Sequence, residues 1–187
     1  LDEAFVIGVL RAHDGSAEAR FKQDLEARKL VDYPYTLVMP RADKSLSDVF
    51  THEHLAPSPS EVHWTAVRDI VLQIARALQH LHDREIIHGD VKPLNLMRTG
   101  KTWRLIDLDA ATAFDAPAGA KSSAAFCAPE MVHVGKKTAV IKTPPLLAEP
   151  GNEGDAKTSI VPPVLASAVL DVWSLGVVFF KLCTGQS

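Results

Sequence analysis

Cysteine is scarce in this chain. Cys127 and Cys183 are the only two among 187 residues. Two thiols give no disulfide framework, which points to a reducing, intracellular and cytoplasmic setting. Basic charge is not in excess either. The formal net charge is −3, which removes the electrostatic footprint of a nucleic-acid partner or an anionic membrane surface. Long hydrophobic runs are missing. The longest, from Val172 to Phe180, contains Ser174 and is too short to cross a bilayer. No signal peptide opens the chain, and Leu1 is not an initiator methionine. The first residues already read as the inside of a domain, so the expectation is a fragment. Internal repeats are absent too. What is present is ordinary for one soluble globular domain: 47% hydrophobic and 23% charged residues.

The most informative stretch is Ile87-His88-Gly89-Asp90-Val91-Lys92-Pro93-Leu94-Asn95-Leu96-Met97. An acid, a cation and an amide (Asp90, Lys92, Asn95) fall close together between apolar pairs. Pro93 bars a helix interior. A second acidic site follows at Leu105-Ile106-Asp107-Leu108-Asp109. These are the parts phosphoryl transfer needs: a carboxylate to take a hydroxyl proton, a cation for developing charge, and oxygen ligands for magnesium.

Ala4 to Leu10 is a short apolar run and reads as a buried strand. Asp14-Gly15-Ser16 marks a turn. Ala17 to Leu30 is charged and rich in helix formers, and reads as a solvated helix. Tyr35 to Met39 is a second strand, ended by Pro40. Asp43 to His54 reads as a short helix. After Pro57-Ser58-Pro59-Ser60, the span Glu61 to Arg84 places Val67, Ile70, Val71, Ile74, Leu78 and Leu81 on one helical face. Ser58 or Ser60 would cap its start. Leu94 to Arg98 and Thr102 to Ile106 read as a hairpin turning at Thr99-Gly100-Lys101, which sets Asn95 beside Asp107. Ala110 to Phe126 reads as a loop. The span 132–167 holds five of the twelve prolines and reads as a mostly flexible surface insertion. Val169 to Leu182 reads as a buried apolar helix, stopped by Gly185. His52/His54 and His80/His82 sit at i, i+2, which turns each pair to different helix faces and disfavours a zinc site.

These residues resemble the protein kinase superfamily. Its H-R-D-x-K-x-x-N loop corresponds to His88 through Asn95, its D-F-G to Asp107-Leu108-Asp109, its A-P-E to Ala128-Pro129-Glu130, and its D-x-W-x-x-G to Asp171 through Gly176. The resemblance implies an α+β, two-lobed fold seen in part: residues 1–39 from the small lobe, 40–44 as hinge, and 45–187 from the large lobe. It implies transfer of the γ-phosphoryl of Mg-ATP to serine or threonine hydroxyls of protein substrates. Asp90 would orient and deprotonate the hydroxyl, Lys92 would neutralise the phosphoryl group, and Asn95 and Asp107 would hold Mg2+. Met39 (gatekeeper), Ala42 and Met97 would line the adenine site, with Ser45 or Ser47 near the ribose. The D-x-K-x-x-N spacing and Ser123, at the position of a threonine that contacts Asp90 and Lys92, resemble serine/threonine kinases. Glu130 would be an ion-pair anchor and Asp171 the acid that holds the catalytic-loop backbone. His88, under Leu108 and in line with Val9, would belong to a packed spine.

The sequence also departs from the family. Gly89 replaces the arginine that pairs with an activation-segment phosphate, so activity is expected not to depend on phosphorylation of Ser122 or Ser123. A large rate gain on phosphorylating either serine would sink that expectation. Asp109 replaces the glycine of D-F-G, a costly exchange wherever glycine's backbone freedom is used. No glycine-rich phosphate loop and no V-A-I-K lysine is present, and Glu3 lies too close to the first strand to be that lysine's partner. The segment alone is therefore expected to be inactive. Two other readings stay open. A pseudokinase scaffold would bind partners through the same fold, and upstream sequence lacking the glycine-rich loop and lysine would favour it. A small-molecule phosphotransferase of the aminoglycoside or choline kinase type shares His88-Gly89-Asp90 and Asn95, but lacks the A-P-E and D-x-W motifs found here.

Overall fold

The computed structural model describes residues 2–52, 61–119, 123–134, 139–141 and 163–185. Its architecture is α+β, with short antiparallel sheets around one long helix. β1 (Arg11–Asp14) and β2 (Tyr35–Val38) form a two-stranded sheet, with α1 (Ala19–Ala27) between them in sequence. The strand expected at Ala4 to Leu10 is displaced. In that run only Val6 bridges, to Leu105, and the ladder with Val38 begins at Leu10. A strand needs a partner more than it needs β-propensity. Tyr35–Val38 pairs with residues 11–14, and Val9 and Leu10 are left exposed.

β3 (Lys44–Ser45) leads directly into α2 (Leu46–His52). Ser45 and Asp48 cap one another. The Ser45 N–H and Oγ–H each donate to Asp48 Oδ2 at 2.8 Å, and the Asp48 N–H donates to Ser45 Oγ at 3.1 Å. This reciprocal pair satisfies helix-start donors that would otherwise lack partners. Ser45 is thus buried in a cap. The caps expected at Ser58 and Ser60 lie outside the described residues.

α3 (Glu61–His82) follows the expected periodicity. It buries Val67, Ile70, Ile74, Ala77, Leu78 and Leu81 against Leu46 and Val49 of α2. The same core takes Leu96, Trp103 and Leu105 from the hairpin of β5 (Leu96–Thr99) and β6 (Thr102–Leu105). Between α3 and that hairpin lies β4 (Ile86–Ile87), which pairs with β7 (Thr112–Ala113). Gly100, at φ +61°, makes the expected hairpin turn.

The span 132–167, expected as a mostly flexible insertion, is structured at both of its ends. It opens with a hairpin of β8 (Val132–Val134) and β9 (Ala139–Ile141). Its last residues belong to a core rather than a surface loop. Ala166 is fully buried, its N–H donates to the Ala116 carbonyl at 2.8 Å, and the Ala118 N–H donates to the Val164 carbonyl at 2.8 Å. The expected flexibility of 135–138 and 142–162 falls outside the described residues.

α4 (Ala168–Thr184) ends at Gly185 in the left-handed conformation, as a helix stop requires. The expectation that this helix is buried holds for one stripe only. Leu170, Asp171, Ser174, Val178 and Leu182 face inward, while Val169, Val172, Trp173 and Phe180 are about half exposed. A helix that is apolar all round reads as fully buried, but here neighbours pack on one side. We predict that Ser45→Ala, which removes the cap of α2, lowers stability by about 0.5–2 kcal/mol in urea titrations.

Candidate functional site

Pro93–Asn95 form a single 3-10 turn just before β5, and this turn gathers the polar residues of the catalytic-loop motif. Lys92 Nζ donates to Asp90 Oδ2 at 2.6 Å and to Ser123 Oγ at 3.0 Å. The Ser123 N–H donates to Asp90 Oδ1 at 3.1 Å. Asn95, 4% exposed, turns its Nδ2–H2 group onto the Asp90 carbonyl at 2.9 Å and onto Oδ2 at 3.2 Å. Its amide oxygen is thereby directed away from Asp90.

Asp107 reaches this cluster through the backbone. The Ile106 N–H donates to the Asn95 carbonyl at 3.0 Å, so the segment ahead of Asp107 runs beside Asn95. Asp107 itself is exposed and left-handed, at φ 64° and ψ 73°. That conformation is uncommon outside glycine and recurs at functional sites. Asp109, by contrast, sits in a 3-10 turn (Leu108–Ala110) and is not at positive φ. The backbone cost expected for an aspartate at the glycine position therefore does not arise there; the left-handed residue is Asp107.

His88 and Asp171 hold the loop from below. The fully buried His88 ring donates from Nε2 to the Ile106 carbonyl at 3.0 Å and accepts the Asp90 N–H at Nδ1, 3.3 Å away. Asp171 accepts the His88 N–H at 2.8 Å and the Gly89 N–H at 2.9 Å. Among the described residues the chemistry-bearing groups are thus Asp90, Lys92, Ser123 and Asn95 in one hydrogen-bonded knot, with Asp107 on the adjoining strand end.

A family model described as Protein kinase domain matches residues 26–143, more than half of the chain. The chain belongs to the protein kinase family. It is similar to serine/threonine-protein kinase ISR1 of Eremothecium gossypii, at 33% identity over 103 residues, 54% of this chain and 28% of the relative. It is also similar to salt tolerance receptor-like cytoplasmic kinase 1 of Oryza sativa subsp. japonica, at 25% identity over 96% of this chain and 50% of the relative. A third relative is serine/threonine-protein kinase/endoribonuclease IRE1 of Hypocrea jecorina, at 24% identity over 83% of this chain and 14% of the relative. The chain spans half or less of the length of these kinases.

The remaining motif positions are less uniform. Met97 is partly buried on β5 and pairs with Ser45. The Asp43 N–H donates to the Arg98 carbonyl at 2.8 Å, which brings the stretch after Ala42 alongside Met97. Met39, just after β2, is 45% exposed and not packed in the core. Val9 is half exposed and is not a packed spine member. Glu130 is exposed and makes no ion pair among the described residues. His80 accepts the Asp2 N–H at Nε2, 3.0 Å away, while His82 bonds to Asp171. Both therefore have structural partners. No helix is long and apolar enough to cross a membrane among the described residues.

Gly89 has a steric reason. Its φ is +78°, and a Cβ built there would lie 2.5 Å from the Ala110 carbonyl oxygen. An arginine at this position clashes with backbone rather than with a movable side chain. Gly89→Ala is expected to lose at least about 1–2 kcal/mol, the cost of forcing a side-chain-bearing residue into left-handed backbone; thermal unfolding measures it.

The Asp90 carboxyl is pulled two ways. Burial raises it, but hydrogen bonds from Lys92 and Ser123 outweigh burial and hold it below its ordinary value. A lowered carboxyl contributes stability that is fully present above about pH 3.9 and lost as pH falls through the lowered value. Asp90 therefore stays ionised across the neutral range. We expect no acid limb from Asp90 in a pH–rate profile above about pH 5; a limb there that vanishes in Asp90→Asn, provided that variant keeps residual activity, would contradict this.

Proposed function

We propose that this chain is the central part of a two-lobed serine/threonine protein kinase domain, transferring the γ-phosphoryl of Mg-ATP to protein hydroxyls. In this reading residues 1–39 are a remnant of the small lobe, 40–44 the hinge, and 45–187 part of the large lobe. The observation that carries it is the Asp90–Lys92–Ser123 knot. A carboxylate and an ammonium are set 2.6 Å apart, and a hydroxyl-bearing residue of the activation segment bridges them.

Asp90 orients the acceptor hydroxyl and takes its proton, a contribution typically worth about 10²–10⁴ in rate. Its lowered proton affinity suits orientation and late proton acceptance better than early abstraction. Lys92 carries positive charge to the transferring phosphoryl group, where a preorganised cation needs little rearrangement. Ser123 ties the activation segment to both residues.

The oxygen-rich donor set fits a hard divalent cation. Asn95 spends its Nδ2–H2 group on Asp90, so its amide oxygen would be the atom to hold the metal, and Asp107 would add an exposed carboxylate. Magnesium needs only one or two protein oxygens besides phosphates and water. When bound, it supplies charge neutralisation of the nucleotide phosphates. Met97 contributes the floor of the adenine site and Ala42 its hinge side, with Met39 as gatekeeper in this reading. Protein substrates and ATP are the partners in this reading, in a cytoplasmic setting.

The test is labelled γ-phosphate transfer from Mg-ATP to a generic basic protein, using the complete natural protein beside Asp90→Asn. Label on serine and threonine that falls by at least about 10²-fold in the variant is the expected result. Absence of transfer from the wild type, with ATP still bound, overturns the reading in favour of a scaffold.

A further inference from the structure

Ser174 and Lys181 stand about two turns apart on α4, at a spacing that puts both on one face of the helix. Both meet Phe126. The Ser174 Oγ–H donates to the Phe126 carbonyl at 2.8 Å, and Lys181 Nζ lies 5.3 Å from the centroid of the Phe126 ring. The Phe126 N–H in turn donates to the Ser123 carbonyl at 2.9 Å, which closes a single turn. Ser123 is the residue whose N–H and hydroxyl meet Asp90 and Lys92. One end of this turn is therefore held by the Asp90–Lys92 pair and the other by α4.

The two lysines at its ends differ in how their charge is matched. Lys92 gives its ammonium to Asp90 at 2.6 Å. Lys181 forms no ion pair among the described residues, and its side chain is partly exposed. The contact that holds it is an aromatic face. A ring attracts an ammonium through its quadrupole, but leaves the charge uncancelled and N–H donors available to a further acceptor. A lysine in the last turn of a helix also offsets the helix dipole, but that role does not call for a place over Phe126. Ala124 and Ala125, on the turn itself, are exposed and add neither charge nor bulk.

We infer that Lys181 is a specificity-determining residue, which selects protein substrates carrying an aspartate or glutamate close to the acceptor hydroxyl. This rests on the kinase reading above, because Asp90 marks where the hydroxyl sits. The ends of a single turn lie within about 7 Å of one another, and an extended substrate advances about 3.3–3.6 Å per residue. The acidic residue therefore falls within about five residues of the acceptor. A basic residue at the same place meets like charge and is rejected, so the selection works in both directions. The ammonium is partly exposed, which keeps the gain modest: about 2–5-fold in kcat/KM over a neutral residue.

The experiment uses the complete natural protein and serine peptides with neutral flanks. Glutamate, alanine or lysine is placed in turn at each of five positions on either side of the acceptor. The expected result is one position at which glutamate exceeds alanine about 2–5-fold in kcat/KM and lysine falls below alanine. The glutamate preference disappears in Lys181→Met and inverts in Lys181→Glu. A ratio of two peptides within one variant cancels any loss of turnover or of folded protein. Absence of a glutamate preference in the wild type, or a preference that both variants keep, overturns the inference. Peptide titrations followed by the chemical shifts of isotope-labelled phenylalanine and lysine separate this from failure of the kinase reading, because they need no turnover. Shifts at Phe126 and Lys181 of the wild type with glutamate peptides and not with lysine peptides support the site, even if no phosphate is transferred or neither variant folds. No shift, or equal shifts with both kinds of peptide, refutes it.

Discussion

Three donors converge on the Asp171 carboxylate inside the protein, and the loop from His88 to Asn95 hangs from them. An ionisable oxygen pair removed from water is costly unless it is fully hydrogen-bonded. Once it is, the geometry of its partners becomes narrow. Here the partners are the backbone of His88 and Gly89 and the end of α3. The helix–helix packing of α3 on α4, built from residues such as Leu78, Leu81, Val178 and Leu182, therefore does more than hide apolar surface. It brings the acid on one helix to the loop that the other helix delivers.

The same local geometry explains the chain's main departure from its family. Backbone at φ +78°, with the Ala110 carbonyl 2.5 Å from where a Cβ would stand, admits glycine and little else. Glycine at position 89 lets the catalytic loop pack backbone to backbone against the segment after Asp107-Leu108-Asp109. What is lost is a guanidinium that could answer a phosphate. What is gained is a close, side-chain-free contact between the loop that carries Asp90 and the strand end that carries Asp107.

Backbone strain in the acidic segment falls two residues earlier than the motif suggests. Asp109 occupies the glycine position yet sits in a 3-10 turn, whereas Asp107 takes the left-handed conformation. Motif comparison marks which residue has changed. It does not say which one bears the unusual angles, because those depend on how Ile106 pairs with Asn95 and how β7 pairs with β4.

The sequence by itself determined the long amphipathic α3, the hairpin that runs the segment before Asp107 beside Asn95, the stop at Gly185, and the nearness of Asp90, Lys92 and Asn95 on one loop. Those features are local, written in periodicity, turn residues and short motif spacing. Only the tertiary structure decided the rest. Ala4 to Leu10 gave up a strand because residues 11–14 met the available partner. The end of the insertion entered a core because Ala166 pairs with Ala116. Half of α4 stayed exposed, and Met39 and Val9 with it, because burial is fixed by neighbours and not by hydropathy. His82 carried no sequence signal beyond a histidine at the end of a helix. Its partner is Asp171, which lies 89 positions along the chain, and a contact at that separation follows from packing and not from local pattern.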